Sequence, residues 1–170
     1  MAAPLTGMKS GIALLEDPHF PGDDDAALRL FNRIADRISQ DYAVPRSTAG
    51  DALDQALIFV AVAGQKRDLM LSPSPLVDWA WDTFILYTPY YHAFCERFGG
   101  YVHHVPNDAP ELLITSSRKL HSPYETASVL REAGYHVLDE LWPRDAMARA
   151  KANCTSCYNG GHEGDLDDVG

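Results

Sequence analysis

The sequence predicts a mainly α, compact multi-helix single domain with irregular connections and a flexible C-terminal tail. Three observations carry this. Apolar residues recur at helical spacing over long segments, Ser/Thr-Pro and Gly-Gly pairs punctuate those segments, and past Cys154 the composition shifts to Gly, Asp and Asn. The implied division is a helical domain over residues 1–153 and a Cys/Gly/Asp-rich tail over 154–170, either metal-binding or disordered.

In chain order, Pro21-Gly22 precedes Asp23, Asp24 and Asp25, whose charges suit the positive end of a helix. Leu30, Phe31, Ile34 and Ile38 continue that helix to about Gln40. Pro45 and Arg46 break the chain, and Thr48 with Asp51 resembles a capping box opening a helix from Asp51 to about Gln65. That helix is apolar on most sides and is expected to be the buried centre. Ser74-Pro75 offers a hydroxyl cap followed by a proline where no amide hydrogen is needed, so a helix starts there and runs to about Tyr87. Thr88-Pro89 repeats the signal, and Gly99-Gly100 ends the second helix after Phe98. Tyr101 to Val105 reads as extended, because Pro106 disfavours a helical residue before it. Leu112, Leu113 and Ile114 fit either a strand or a helical turn. Ser122-Pro123-Tyr124-Glu125 is the best capping box, with its helix ending at Gly134. A short helix around Val137 to Leu141 and an alanine-rich one from Asp145 to Asn153 complete the set.

The balance of 14 basic against 24 acidic residues gives a net charge of −10, which argues against nucleic acid and anionic membranes as partners. The longest apolar stretch, Ala56 to Gly64, falls well short of the ~20 residues that cross a bilayer. Three cysteines, two of them in a Cys-x-x-Cys pair, do not suit a secreted disulfide framework, and the expected location is cytoplasmic. No phosphate loop or dinucleotide fingerprint is present. A Cys95–histidine dyad has no spacing that favours nucleophilic chemistry over packing.

Chemistry concentrates between Ser74 and Pro106. Asp78 and Asp82 lie one helical turn apart and share a face, so a cation could sit between them. Tyr91 and Cys95 repeat that spacing on the next helix. His103 and His104 would point to opposite faces of an extended segment, leaving one free to ligate. The bland reading is a helix-start aspartate, a buried cysteine and aromatic residues that simply fill a core.

These residues resemble the glycine-rich domain-containing protein-like family. The pattern matches at Asp78, Trp81, Thr83, Ile85, Leu86, Thr88, Tyr91, Cys95, Gly100, His103, His104 and Pro106, over about a fifth of the chain. The resemblance implies a core or groove motif around Trp81, Tyr91 and Cys95 and a nitrogen-rich metal site. Asp82 and Phe84 stand where that family usually has histidines, which turns the implied site toward oxygen donors or removes it.

In the tail, Cys154, Cys157, His162 and Asp167 follow the spacing of a zinc knuckle with aspartate as fourth ligand, making zinc the candidate cofactor. An unstructured tail competes with that reading, and a redox role ranks below both. Any zinc is expected to leave when Cys154 and Cys157 become alanine. The leading functional reading is a small helical protein that binds a metal, or a protein or peptide partner, through residues 74–106, with no defined catalytic activity. The alternatives are a metal-dependent enzyme using Asp78, Asp82 and His103 or His104, and a structural adaptor whose Cys-x-x-Cys tail recruits a partner.

Overall fold

Asp23 begins the first long helix by accepting a hydrogen bond from the Ala26 amide at 3.0 Å, while Asp24 and Asp25 occupy its first turn. This helix, α1 (Asp24–Tyr42), buries Leu30, Phe31, Ile34, Ala35 and Ile38 along one stripe. The computed structural model describes residues 8–106 and 119–144 and the backbone of 154–159.

Helix α2 (Arg46–Gln65) begins five residues before the expected Asp51. Pro45 does not break the chain there. Its φ of −53° suits the cap position, and its carbonyl accepts from the Ala49 amide at 2.9 Å, so Thr48 and Asp51 fall inside the helix. Leu53, Leu57, Ile58, Phe59, Val60 and Val62 are all fully buried, and α2 is the central helix the sequence implied. It packs against α1 and against α3 (Pro75–Leu86), with which α1 is also in contact.

Helices α3 and α4 (Thr88–Arg97) are separated by Tyr87 alone. The Tyr87 amide still bonds to Phe84 while its carbonyl receives the Tyr90 and Tyr91 amides, so one residue closes one helix and opens the next. The chain then turns through Gly99 (φ +101°) and Gly100 (φ +114°). A side chain is excluded here for a second reason. A Cβ on Gly99 would lie 2.6 Å from the Gly64 carbonyl oxygen, and one on Gly64 would lie 2.5 Å from that of Phe98. The C-terminal ends of α2 and α4 therefore meet backbone to backbone, which sets where the next strand starts.

That strand, β1 (Val102–Pro106), confirms the extended reading and pairs antiparallel with β2 (Cys154–Asn159), with an irregularity between Val105 and Pro106. Cys154–Asn159 forms the opening of the segment expected to be a tail; residues 160–170 lie outside the described residues. Helix α5 (Pro123–Glu132) carries the expected capping box: Ser122 Oγ accepts from the Glu125 amide, and the Glu125 carboxylate accepts from the Ser122 amide at 2.8 Å. The short helix near residue 141 is a single 3-10 turn, Asp139–Leu141. The apolar cluster at 112–114 and the alanine-rich segment at 145–153 lie outside the described residues.

Gln55, fully buried on α2, gathers the chain that follows α5. Its Nε2 donates to the His136 carbonyl at 3.0 Å, and its Oε1 accepts from the Leu138 amide at 3.2 Å and from Trp142 Nε1 at 3.0 Å. Among the described residues, no helix is long and apolar enough to cross a membrane.

Candidate metal centre

Asp78 stands in the first turn of α3, where the helix dipole favours its negative charge, and it is completely buried. Asp82 follows one turn later on the same face, with its side chain about a quarter exposed. Both face His104 on β1. The His104 Nε2 lies 3.1 Å from Asp78 Oδ1 and 2.9 Å from Asp82 Oδ1. One ligand atom from each of the three residues falls within 4.8 Å of the other two.

Three side chains fix the histidine there. Tyr91 Oη on α4 accepts from Trp81 Nε1 at 3.0 Å and donates to the Val102 carbonyl at 2.5 Å. Cys95, one turn beyond Tyr91, presents its sulfur to the Val102 amide, so both polar backbone groups of the first β1 residue are held by α4. Side chains two apart on a strand share a face, so fixing Val102 on the core side also fixes His104. The His104 ring then packs on Trp81, with centroids 4.5 Å apart, and Trp81 is backed edge-on by Phe59 of α2. His103 falls on the opposite face beside Tyr101, with ring centroids 4.8 Å apart. Burial against its surroundings lowers the His103 pKa.

The electrostatic character of the cluster shows in its neighbours. Tyr42, the last residue of α1, stacks on Trp79 with ring centroids 4.8 Å apart and planes 3° from parallel. Its phenol pKa is raised, first by burial and then by the negative charge of Asp82. Burial also raises the pKa of Tyr91 and of the Cys95 thiol, which keeps both protonated in the network behind β1. Cys95 is a free, buried cysteine.

Of the residues the sequence singled out, the structure thus unites Asp78, Asp82 and His104. It places Trp81, Tyr91 and Cys95 immediately behind them and turns His103 away. Cys154 and Cys157 lie on β2, while His162 and Asp167 lie outside the described residues. The Ser74 hydroxyl, expected to cap α3, makes no cap bond; it is buried with no hydrogen-bond partner among the described residues. Tyr42 was missed as a neighbour of the site. Its signal was its position eight residues after Ile34 and four after Ile38, on the core-facing stripe of α1.

In chemical terms the centre offers two carboxylates and one imidazole. Ligands bound to a zinc-like ion at ~2.0–2.1 Å stand roughly 2.9–3.4 Å from one another, depending on coordination geometry. The two His104–aspartate separations of 2.9 and 3.1 Å match that spacing.

The architecture is that of a helical protein built around a buried central helix, with an Asp-Asp-His cluster where α3 meets β1. The chain belongs to the UCP032817-like family, whose family model matches residues 26–129, more than half of its length. This corrects the resemblance to the glycine-rich domain-containing protein-like family. That resemblance drew chiefly on residues 74–106, with weaker echoes at 141–143 and in the tail; within 74–106, Gly99-Gly100 is a helix stop required by the close approach of α2, and Trp81 is core packing. The family match begins at α1 and runs into α5, so it covers the scaffold as well as the motif. Searches of curated proteins and of solved structures found no match.

Proposed function

We propose that this protein binds a divalent metal cation through Asp78, Asp82 and His104, with zinc the leading candidate and a cytoplasmic location. The observation that carries the reading is the approach of two carboxylates from one helix face to a single imidazole nitrogen, at 3.1 and 2.9 Å. The fully buried Asp78 carboxylate and that of Asp82 both approach the same ring nitrogen of His104. A divalent ion between them favours both ionised carboxylates and takes the His104 Nε2 lone pair as its third ligand. The donor set of one nitrogen and two oxygens suits first-row divalent ions, among which zinc ranks above manganese and iron(II) in affinity. The buried free thiol of Cys95 fits a reducing compartment.

A second reading is a metal-dependent enzyme. Three protein ligands leave a fourth position for water or substrate, and the partial exposure of Asp82 gives that position a route to solvent.

The test is metal content and zinc titration of the full chain against Asp78→Asn/Asp82→Asn, a change that keeps shape while removing both charges. We expect close to one equivalent in the wild type and loss of that equivalent in the double variant, with the helical circular dichroism unchanged. Equal metal content in the two proteins would refute the assignment.

A further inference from the structure

Helices α3 and α5 open with the same pair of residues, Ser74-Pro75 and Ser122-Pro123, yet the two serines behave differently. Ser122 Oγ accepts from the Glu125 amide at 3.2 Å and donates to the Glu125 carboxylate at 2.9 Å. Ser74 holds the same cap position on a similar backbone, with ψ at 163° in both, but its side chain makes no cap bond. The residue is 1% exposed, and its hydroxyl meets no hydrogen-bond partner among the described residues. A buried hydroxyl left in that state destabilises the fold, which an alanine at the same place would not do.

Ser74 stands one helical turn before Asp78, and Asp78 one turn before Asp82, so the three residues share a single stripe of α3. The first turn is closed, with the Asp78 amide donating to the Ser74 carbonyl at 2.8 Å. Helical side chains lean back over the turn N-terminal to their own Cα, and four residues rise by only ~6 Å. The turn that the Asp78 side chain overlies is therefore the one Ser74 opens, and both residues are buried. A carboxylate carries about four lone-pair sites, and a bound ion takes one of them. Carboxylates that ligate an ion are in turn hydrogen-bonded by neighbouring groups, which fix the oxygen that faces the metal. Ser74 supplies a buried hydroxyl donor on the stripe where such a group is needed.

We infer that Ser74 is a positioning residue of the metal centre, its hydroxyl donating to the Asp78 carboxylate when an ion is bound and holding the ligand oxygen on that ion. The inference rests on the metal-binding reading of Asp78, Asp82 and His104, and adds to it a residue that does not touch the ion. It also separates two roles for serines at the same helix position. Ser122 stabilises its helix whether or not a metal is present. Ser74 contributes no bond to the metal-free fold and acts only on the loaded site, so metal uptake satisfies a hydroxyl that folding leaves unpaired.

The experiment uses the full chain with zinc as the probe. Zinc affinity is read against a competing chelator, and thermal unfolding of the metal-free protein is followed by circular dichroism. Ser74→Ala is expected to melt at or above the wild-type temperature when free of metal, and to bind zinc ~10–100-fold more weakly. Ser122→Ala is the control and shows the reverse pattern, melting lower because a satisfied cap is lost while keeping wild-type zinc affinity. Unchanged zinc affinity in Ser74→Ala, with the zinc still lost in Asp78→Asn/Asp82→Asn, overturns the role of Ser74 and leaves the Asp-Asp-His reading intact. A metal-free Ser74→Ala that melts below the wild type, with or without weaker zinc binding, also overturns that role, because the hydroxyl then serves the fold itself. Zinc retained by Asp78→Asn/Asp82→Asn, or none taken up by the wild type, overturns both.

Discussion

Replacing Tyr91 by phenylalanine removes one oxygen atom and leaves the ring packing against Phe84 and Tyr101 in place. The lost hydroxyl accepts from Trp81 Nε1 and donates to the Val102 carbonyl, and Tyr91 and Trp81 are both buried. Two polar groups are then stranded with no route to water. Each buried unsatisfied group costs ~1–3 kcal/mol, and relief from burying the phenol oxygen offsets a fraction, so the net loss is ~2–4 kcal/mol. For a chain of this size that corresponds to a fall in Tm of roughly 5–15 °C. The assay is urea unfolding followed by helical circular dichroism, with the midpoint lowered and the slope unchanged. Metal affinity should fall in parallel, because His104 is positioned through Val102. A stability loss under ~1 kcal/mol, within the range of one ordinary hydrogen bond, would refute the idea that this hydroxyl pins the strand.

Two further outcomes follow from other parts of the fold. Gln55→Leu keeps the volume of a fully buried side chain but strands the His136 carbonyl, the Leu138 amide and Trp142 Nε1; we expect a loss of at least ~3 kcal/mol in urea unfolding, with hydrogen exchange quickened most at Leu138. Glu125 has its carboxyl pKa lowered to about 2, first by the hydrogen bond from Lys119 and then by those from Ser122. Because the folded value lies below the ordinary carboxylate range, this capping contribution is fully present above about pH 4.5 and fades as the pH drops toward 2, an effect absent in Glu125→Gln; an NMR titration of Glu125 with a midpoint near 4 would contradict it.

Local punctuation accounts for most of what the sequence revealed. Asp23, the Ser/Thr-Pro pairs, Gly99-Gly100 and the Ser122–Glu125 box each act within one helical turn, so α1, α3, α4 and α5 could be placed from neighbours alone. The shared face of Asp78 and Asp82 follows equally from a four-residue spacing. Misreadings arose where two local signals competed. Pro45 could stop a helix or start one, and the Thr48–Asp51 pattern looks the same inside a helix as at its end. The choice between His103 and His104 was not local at all. Alternation says that only one faces inward, but which one depends on Tyr91 and Cys95 gripping Val102. The pairing of β1 with β2 lay further out of reach, since it joins segments about 50 residues apart and a one-residue slip would put every side chain on the other face.

Gln55 bears on the order of folding as well as on stability. Its partners lie 81 to 87 residues away along the chain, and closing so long a loop carries an entropy penalty that neighbouring helices do not face. The packing of α1, α2 and α3 involves shorter separations and can form first, with the segment from His136 to Trp142 docking onto a finished α2. A contact made after the rate-limiting step leaves the folding rate nearly untouched and sets the rate of opening instead. On that order of events, Gln55 governs how long the assembled protein stays closed more than how quickly it assembles, so Gln55→Leu would speed unfolding and leave the folding rate nearly unchanged.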